Sequence, residues 1–132
     1  MEENKQLLEI ASKAAKYAYA PYSDFKVGAA LLTDDGLVFT GCNIENASYG
    51  LCNCAERTAV FKAVSEAKTN FKKIAVAVED INKTVYPCGA CLQVLAEFMY
   101  DGSVIISRNG VPEEIKVKDM LPYNFTLGEK NE

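Results

Sequence analysis

Two cysteine-bearing segments constrain this chain more than any other feature of its sequence. The segment C-A-E-R (54–57) and the segment P-C-G-A-C (87–91) both stand at the start of helix-like stretches, and the chain has no histidine. Without histidine, Ser–His–Asp triads, Cys–His nucleophile pairs and histidine-ligated zinc sites are excluded. Any general acid or base must therefore be a carboxylate, Lys, Tyr or Cys.

The length and composition are those of a single globular domain. The chain has 132 residues, 49% hydrophobic and 24% charged, which is enough to bury a substantial core. Its N-terminus is charged, unlike a signal peptide, and no apolar run approaches the ~20 residues that span a bilayer. We expect one domain over residues 1–132, located in the cytoplasm and without membrane contact.

The charge balance bears on the kind of partner. The net charge is −4 and the basic residues are scattered along the chain, whereas affinity for nucleic acid comes largely from Lys and Arg neutralising phosphates. This pattern disfavours a long polynucleotide. A small, uncharged ligand fits the sequence better.

Hydrophobic periodicity predicts alternating helices and strands. We expect a mixed sheet with helices packed on its faces, in which the first two strands form a hairpin. Ligands in such sheets gather where helix starts meet strand ends, and both cysteine segments lie at such places. The predicted helices are 4–19, 54–68 and 89–99, and the predicted strands are 25–33, 37–45, 73–79, 103–107 and 113–118.

The cysteine spacing indicates a metal site. Cys88 and Cys91 are three residues apart at a helix start, so both sulfurs can face one point. Cys54 opens another helix, and two helix N-termini aimed at one place favour thiolates. Three thiolates leave one position of a tetrahedral Zn²⁺ open, which is typical of a catalytic zinc site.

Two charged side chains complete this hypothesis. Glu56 follows Cys54 by two residues, close enough to move protons at the open position without binding the metal. Zinc lowers the pKa of water from 15.7 to about 7, so a neighbouring carboxylate can take the released proton. Arg57 can hydrogen-bond the cysteine sulfurs and offset their negative charge.

Two other interpretations of the cysteines stay open at this point. With Cys52 as a fourth ligand, the site becomes a closed, structural Cys₄ zinc module, although a C-x-C spacing is tighter than usual. A thiol redox protein would instead cycle a disulfide between Cys88 and Cys91. We expect Cys52 and Cys42 to be small hydrophobic fillers of the kind that free cysteines often are.

Five blocks of the sequence together resemble the short-chain cytidine deaminases, which share the zinc deaminase pattern of a non-ligating Glu beside C-x-x-C. The resemblance implies a three-layer α/β/α fold with a five-stranded mixed sheet, and one Zn²⁺ per subunit. It also implies hydrolytic deamination of free cytidine and 2′-deoxycytidine to the uridines in pyrimidine salvage. The blocks are PYSDFKVGAALL (21–32), GCNIENASYG (41–50), CAERTA (54–59), PCGACLQVL (87–95) and LPYNF (121–125).

The resemblance also assigns roles to individual residues. It makes Cys54, Cys88 and Cys91 the zinc ligands and Glu56 the proton shuttle. It places Phe25 against the pyrimidine, Asn43 and Glu45 at the ribose 3′-hydroxyl, and Ala55 among the substrate-binding residues.

The family's short-chain members are homotetramers with shared active sites. Ala47 and Tyr49 would then come from a second subunit, near the ribose 5′-hydroxyl, and Phe125 from a third, stacking on the base. The chain departs from the family at Leu92, where an arginine is common. A deaminase of a modified cytosine nucleoside is the alternative enzyme.

Overall fold

The computed structural model describes residues 2–128, which form helices and strands in an alternating order. The elements are α1 (Glu2–Ala15), β1 (Val27–Thr33), β2 (Val38–Cys42), α2 (Ala55–Ser65), β3 (Phe71–Val78), α3 (Gly89–Met99), β4 (Ser103–Arg108), β5 (Val111–Lys116) and α4 (Val117–Met120). A single 3₁₀ turn, Tyr49–Leu51, precedes α2.

The strands form one mixed sheet, in the order β2-β1-β3-β4-β5. β3 and β4 are parallel, and the other neighbouring pairs are antiparallel. The predicted hairpin is β1–β2, which pairs Leu32 with Val38 next to the turn. β1 is buried along its whole length, because it lies between β2 and β3 and is covered on both faces.

Helices cover both faces of the sheet, so the predicted three-layer α/β/α fold with a five-stranded mixed sheet is confirmed. On one face, Leu7, Leu8 and Ala11 of α1 pack against β1, β3 and β4. On the other face, α2 and α3 build the larger core around residues such as Val60 and Leu95. Alternate residues of β1 pack in one core and then in the other, because successive side chains of a strand point to opposite faces of the sheet.

Two glycines in the sheet let helices approach it closely. A Cβ at Gly28 would lie 1.9 Å from the carbonyl oxygen of Ala11 in α1. A Cβ at Gly41 would lie 2.5 Å from both the Ala55 carbonyl oxygen and the Ala59 amide nitrogen of α2. Gly41 therefore allows the first turn of α2 to lie directly on β2, which matters for the site described below.

The structure corrects the ends of several predicted elements. The helix expected over 54–68 ends at Ser65, and the strand expected over 37–45 ends at Cys42. The helix expected over 4–19 ends at Ala15, because Tyr19 instead pairs with Ile44 and donates its amide hydrogen to the Asn43 carbonyl at 3.0 Å. The strand expected over 113–118 ends at Lys116, where α4 begins and buries Val117 completely. The corrections at α1 and at β5 come from contacts between distant parts of the chain, Tyr19 with Ile44 and Val117 with Gly102.

Within residues 2–128, no helix combines the length and the hydropathy that a membrane span needs. The prediction of one domain over 1–132 and the prediction of a cytoplasmic location stay predictions. Met1 and residues 129–132 lie outside the described part of the chain.

Candidate metal centre and active site

Several predicted site residues lie together at one end of the sheet. The start of β1, the end of β2 and the end of β3 meet there, since Val27 lies opposite Val78 and Gly28 lies opposite Cys42. Phe25 precedes β1 and Asn43 follows β2 at this end of the sheet. The loops that lead into α2 and α3 start from the same side, so the two helix starts converge.

Cys54 and Cys88 each occupy the N-cap position of a helix. Their backbone angles are nearly the same, φ −78° and ψ 160° at Cys54 and φ −78° and ψ 172° at Cys88. An N-cap side chain usually accepts a hydrogen bond from its own helix, but neither cysteine does so. Both thiols therefore remain available to other partners.

The three sulfurs of Cys54, Cys88 and Cys91 form a compact triangle. The Sγ of Cys88 lies 4.0 Å from that of Cys54 and 3.5 Å from that of Cys91, and all three lie within 4.8 Å of one another. Tetrahedral zinc with Zn–S bonds of about 2.3 Å holds its sulfurs roughly 3.8 Å apart. The triangle fits zinc, and three sulfurs leave the fourth position for a further ligand.

One sulfur of the triangle, that of Cys54, favours the thiolate form. The pKa of Cys54 falls to about 5, because the Cys91 thiol hydrogen-bonds its sulfur and the Arg57 guanidinium lies beside it. The same hydrogen bond, together with burial, raises the pKa of Cys91. Of these two cysteines, Cys54 therefore loses its proton more readily, and only thiolates bind metal well.

Glu56 lies beneath the sulfurs and is almost completely buried, with 4% of its surface exposed. The pKa of its carboxyl is raised to about 7, mainly by burial; the neighbouring Cys54 thiolate also raises it, and Arg57 lowers it. A divalent cation in the triangle would also lower this pKa. A carboxyl that takes up and releases a proton near neutral pH is suited to general acid–base catalysis.

Arg57 is the basic side chain that contacts the sulfurs. Its Nη2 donates to the Sγ of Cys54 at 3.4 Å, and the Cys54 and Cys91 sulfurs raise the pKa of the guanidinium. Among residues 2–128, its Nε is the buried side-chain nitrogen or oxygen without a hydrogen-bond partner. Leu92 is an uncharged side chain that packs in the apolar core, so it cannot offset the charge of the sulfurs.

A cavity of about 180 Å³ opens above the sulfurs and Glu56. It unites six of the predicted site residues, namely Phe25, Asn43, Cys54, Ala55, Glu56 and Cys88. The sequence did not predict its other lining residues, Val27, Val85 and Tyr86. The position of Tyr86 directly before P-C-G-A-C was the available signal for that residue.

Asn43 and Glu45 are both used to hold the segment before β1. The Asn43 side chain accepts from the Val27 amide at 2.8 Å and donates to the Phe25 carbonyl at 2.8 Å. Glu45 accepts from the amides of Tyr22 and Ser23 and from the Ser23 hydroxyl. Carboxylate and amide oxygens can accept more than one hydrogen bond each, so both side chains retain capacity for a ligand.

Four predicted substrate contacts, namely Glu45, Ala47, Tyr49 and Phe125, lie outside this cavity. Tyr49 is 80% exposed and lines a second cavity of about 220 Å³ with Glu45 and Cys52. Ala47 is exposed. Phe125 is 69% exposed, and its backbone is held by the Gln93 side chain of α3, whose amide nitrogen lies 3.0 Å from the Phe125 carbonyl.

Cys52 points away from the sulfur triangle. Its Sγ lies 3.3 Å from the amide nitrogen of Asn46 and 3.6 Å from the carbonyl oxygen of the same residue. In the described part of the chain, the cluster able to hold a metal comprises Cys54, Cys88 and Cys91, without Cys52 or Cys42. The geometry therefore favours an open three-cysteine site over a closed Cys₄ module.

A three-layer α/β/α fold, three converging cysteines at two helix starts and a buried glutamate beside them define a class of zinc-dependent hydrolytic proteins. A sequence model described as the cytidine and deoxycytidylate deaminase zinc-binding region matches residues 1–107. The chain belongs to the cytidine deaminase family.

Individual relatives are similar to this chain in sequence or in structure over nearly its whole length. A cytidine deaminase from Halalkalibacterium halodurans is 49% identical over 132 residues, covering 98% of this chain and 99% of the relative. The crystal structure of cytidine deaminase from Burkholderia pseudomallei is similar with a TM-score of 0.84 and 49% identity, covering 91% of this chain and 97% of that one. The enzyme from Mycobacterium tuberculosis follows with a TM-score of 0.80 and 41% identity, covering 92% and 96%.

Proposed function

We propose that this protein hydrolytically deaminates free cytidine and 2′-deoxycytidine to uridine and 2′-deoxyuridine, releasing ammonia. One observation carries the proposal: a buried carboxyl, Glu56, lies beside an open triangle of three sulfurs at the floor of a cavity of about 180 Å³. That combination supports the proposal, because a proton carrier and a bound metal would then lie next to each other in a space suited to a pyrimidine ring.

The sulfurs of Cys54, Cys88 and Cys91 would hold the metal. A bound Zn²⁺ would act as a Lewis acid that makes a water molecule nucleophilic near neutral pH. Arg57, which is hydrogen-bonded to Cys54, partly neutralises the negative charge of the thiolates.

Glu56 carries the protons of the reaction. Its carboxylate takes a proton from the attacking water and delivers it to N3 of the cytosine ring as the water oxygen bonds to C4. It then passes the second water proton to the amino nitrogen, so that the C4–N bond breaks and ammonia leaves. Because Glu56 is buried, bulk water competes little for these protons.

The remaining cavity residues position the nucleoside. Phe25, Val27 and Ala55 present apolar surface to the base. Asn43 lines the same cavity, and Glu45 lines the neighbouring one, so the unused hydrogen-bonding capacity of both can serve the sugar hydroxyls. The proposed substrate is therefore a free nucleoside with an accessible ribose and not a base within nucleic acid.

The proposed assembly is a homotetramer in which neighbouring subunits complete each site. Tyr49 and Phe125 are exposed and lie outside the cavity of their own chain, which supports contributions across subunit contacts. Light scattering during gel filtration would give four times the mass of one chain; a stable monomer of full activity would contradict this.

The five free cysteines accord with the predicted cytoplasmic location, since cytosolic thiols are kept reduced.

The deciding experiment is ultraviolet absorbance of cytidine incubated with purified, zinc-loaded protein. We expect steady conversion to uridine and the same reaction with 2′-deoxycytidine. A metal-stripped sample is the control and should regain activity when zinc is returned. If the zinc-loaded protein converts neither nucleoside, the proposed substrate is wrong, and conversion of a modified cytosine nucleoside would identify the alternative.

A further inference from the structure

Tyr86 stands at the mouth of the cavity with its hydroxyl held by another part of the chain. It lines the cavity together with Phe25, Glu56 and Cys88, and it is 50% exposed. Phe25 is 54% exposed whereas Glu56 is 4% exposed. The two aromatic side chains therefore form the outer part of the cavity, and the carboxyl lies at its floor.

The Tyr86 ring is held in place through its hydroxyl group. The Nη2 of Arg108 donates to the Tyr86 hydroxyl oxygen at 2.9 Å. Arg108, at the end of β4, also donates from Nε to the carboxylate of Glu113 on β5. The guanidinium is thereby fixed between a strand partner and the tyrosine.

The backbone around Tyr86 is attached to the same strand end. The Thr84 hydroxyl donates to the carbonyl of Ser107 at 2.7 Å. The Ser107 hydroxyl donates to the carbonyl of Ile81 in the same loop, so the loop before α3 is anchored to β4 at Ile81, at Thr84 and at the Tyr86 hydroxyl. These anchors on one strand leave the ring fewer accessible orientations than a free surface tyrosine has.

The position of Tyr86 makes the base, not the sugar, its neighbour. It lies beside Phe25 in the outer part of the cavity, so its ring borders the space that a base reaching Glu56 at the floor must occupy. Its neighbours Val85 and Val27 are apolar. Of the two polar residues suited to sugar hydroxyls, Glu45 lines the second cavity, and Asn43 lines the same cavity as Tyr86.

On this geometry, and resting on the proposed function, we infer that Tyr86 is a specificity-determining residue whose ring limits the size of the base that can react. Arg108 is its positioning residue, acting through the tyrosine hydroxyl. The anchored ring excludes cytosine nucleosides that carry an added group on the base.

The test compares cytidine with 5-methylcytidine, using the kcat/KM ratio of the two substrates. A pocket distinguishes one added methyl by roughly 10- to 200-fold. We expect Tyr86→Ala to raise the ratio for 5-methylcytidine by about tenfold or more. An unchanged ratio in Tyr86→Ala overturns the inference, as does a change confined to the ratio of 2′-deoxycytidine to cytidine.

The positioning role of Arg108 has a separate readout. Tyr86→Phe and Arg108→Gln each remove the same hydrogen bond, so each should raise the ratio roughly threefold, and the double variant should add nothing further. Additive effects contradict a shared role. Lys118→Gln is the matched control, because it removes another exposed ion-paired cation, the partner of Asp101, that does not line the cavity.

Binding measurements keep the test independent of turnover. Calorimetric titration with uridine and 5-methyluridine should show the same change in preference in Tyr86→Ala as the kinetics do, with zinc content unchanged. An equal preference in wild type and Tyr86→Ala contradicts the inference. A wild-type protein that does not deaminate cytidine refutes the proposed function, whereas an active one with unaltered selectivity in the variants refutes only the role of Tyr86.

Discussion

The starts of α2 and α3 have nearly the same backbone but carry different chemistry. Both place an extended cysteine at the N-cap and use no side-chain cap. In α2 the next two residues are Glu56 and Arg57, one buried and one bonded to Cys54. In α3 they are Gly89 and Ala90, followed by the completely buried Cys91.

The two helices thus supply different groups to the same centre. α3 provides two of the three sulfurs and is otherwise apolar, with Leu92 and Leu95 in the core. α2 provides one sulfur together with Glu56 and Arg57. We therefore expect metal binding to depend on both helix starts, and proton transfer and charge balance to depend on α2 alone.

The largest expected effect is loss of zinc and activity, and it should be the same whether the replaced cysteine lies in α2 or in α3. Replacing Cys54 of α2 or Cys88 of α3 by Ala leaves two sulfurs, so zinc content should fall close to zero and activity to background. Elemental analysis of the purified variants measures the first and cytidine absorbance the second. If one of the two variants keeps its zinc, the centre does not depend on both helices as described.

The next effect belongs to α2 alone. Glu56→Gln keeps the size of the side chain but cannot carry a proton, so kcat should fall by about 10²- to 10⁴-fold while zinc is retained. Steady-state kinetics and metal analysis on the same preparation check this. A variant that keeps most of its rate would remove Glu56 from the proton-transfer role.

A smaller effect is expected from the cation of α2. Arg57→Gln removes the guanidinium beside Cys54 and should lower kcat roughly tenfold, with a smaller change in zinc content, because excess negative charge weakens the action of the metal on its water. Lys62→Gln, which removes an exposed cation from the same helix, should leave kcat unchanged. Equal rates for Arg57→Gln and wild type would contradict the charge-balance argument.

The smallest effect concerns the cysteine just before α2. Cys52→Ala should retain full zinc content and activity, because its sulfur contacts the Asn46 backbone and not the triangle. Metal analysis of this variant beside Cys54→Ala separates the open site from a Cys₄ module. Loss of zinc on replacing Cys52 would restore the structural interpretation.

Much of this architecture could be predicted because its signals are local. The apolar pattern and the P-C-G entry of α3 predicted a helix over 89–99, and the structure has Gly89–Met99. The hairpin of β1 and β2 follows from two apolar runs around a D-D-G turn, a short-range signal. The end of α1 was mispredicted, since Tyr19 leaves the helical pattern to pair with Ile44.

The sequence by itself determined which residues are chemically able to form this centre. With no histidine, the cysteines and Glu56 were the candidates for metal binding and proton transfer, and their spacing within each helix start put sulfurs on one side. These are properties of residue type and of a single turn, so no distant contact is needed to infer them.

Only the tertiary structure decided how these groups meet and in what environment. Glu56 is buried in the folded chain, and this burial raises its pKa to about 7; the fold also brings the Cys54 sulfur to 4.0 Å from that of Cys88. Arg108, more than twenty residues along the chain, holds the Tyr86 hydroxyl at the cavity mouth. Burial and long-range contacts depend on how the elements pack, and no local pattern of residues specifies them.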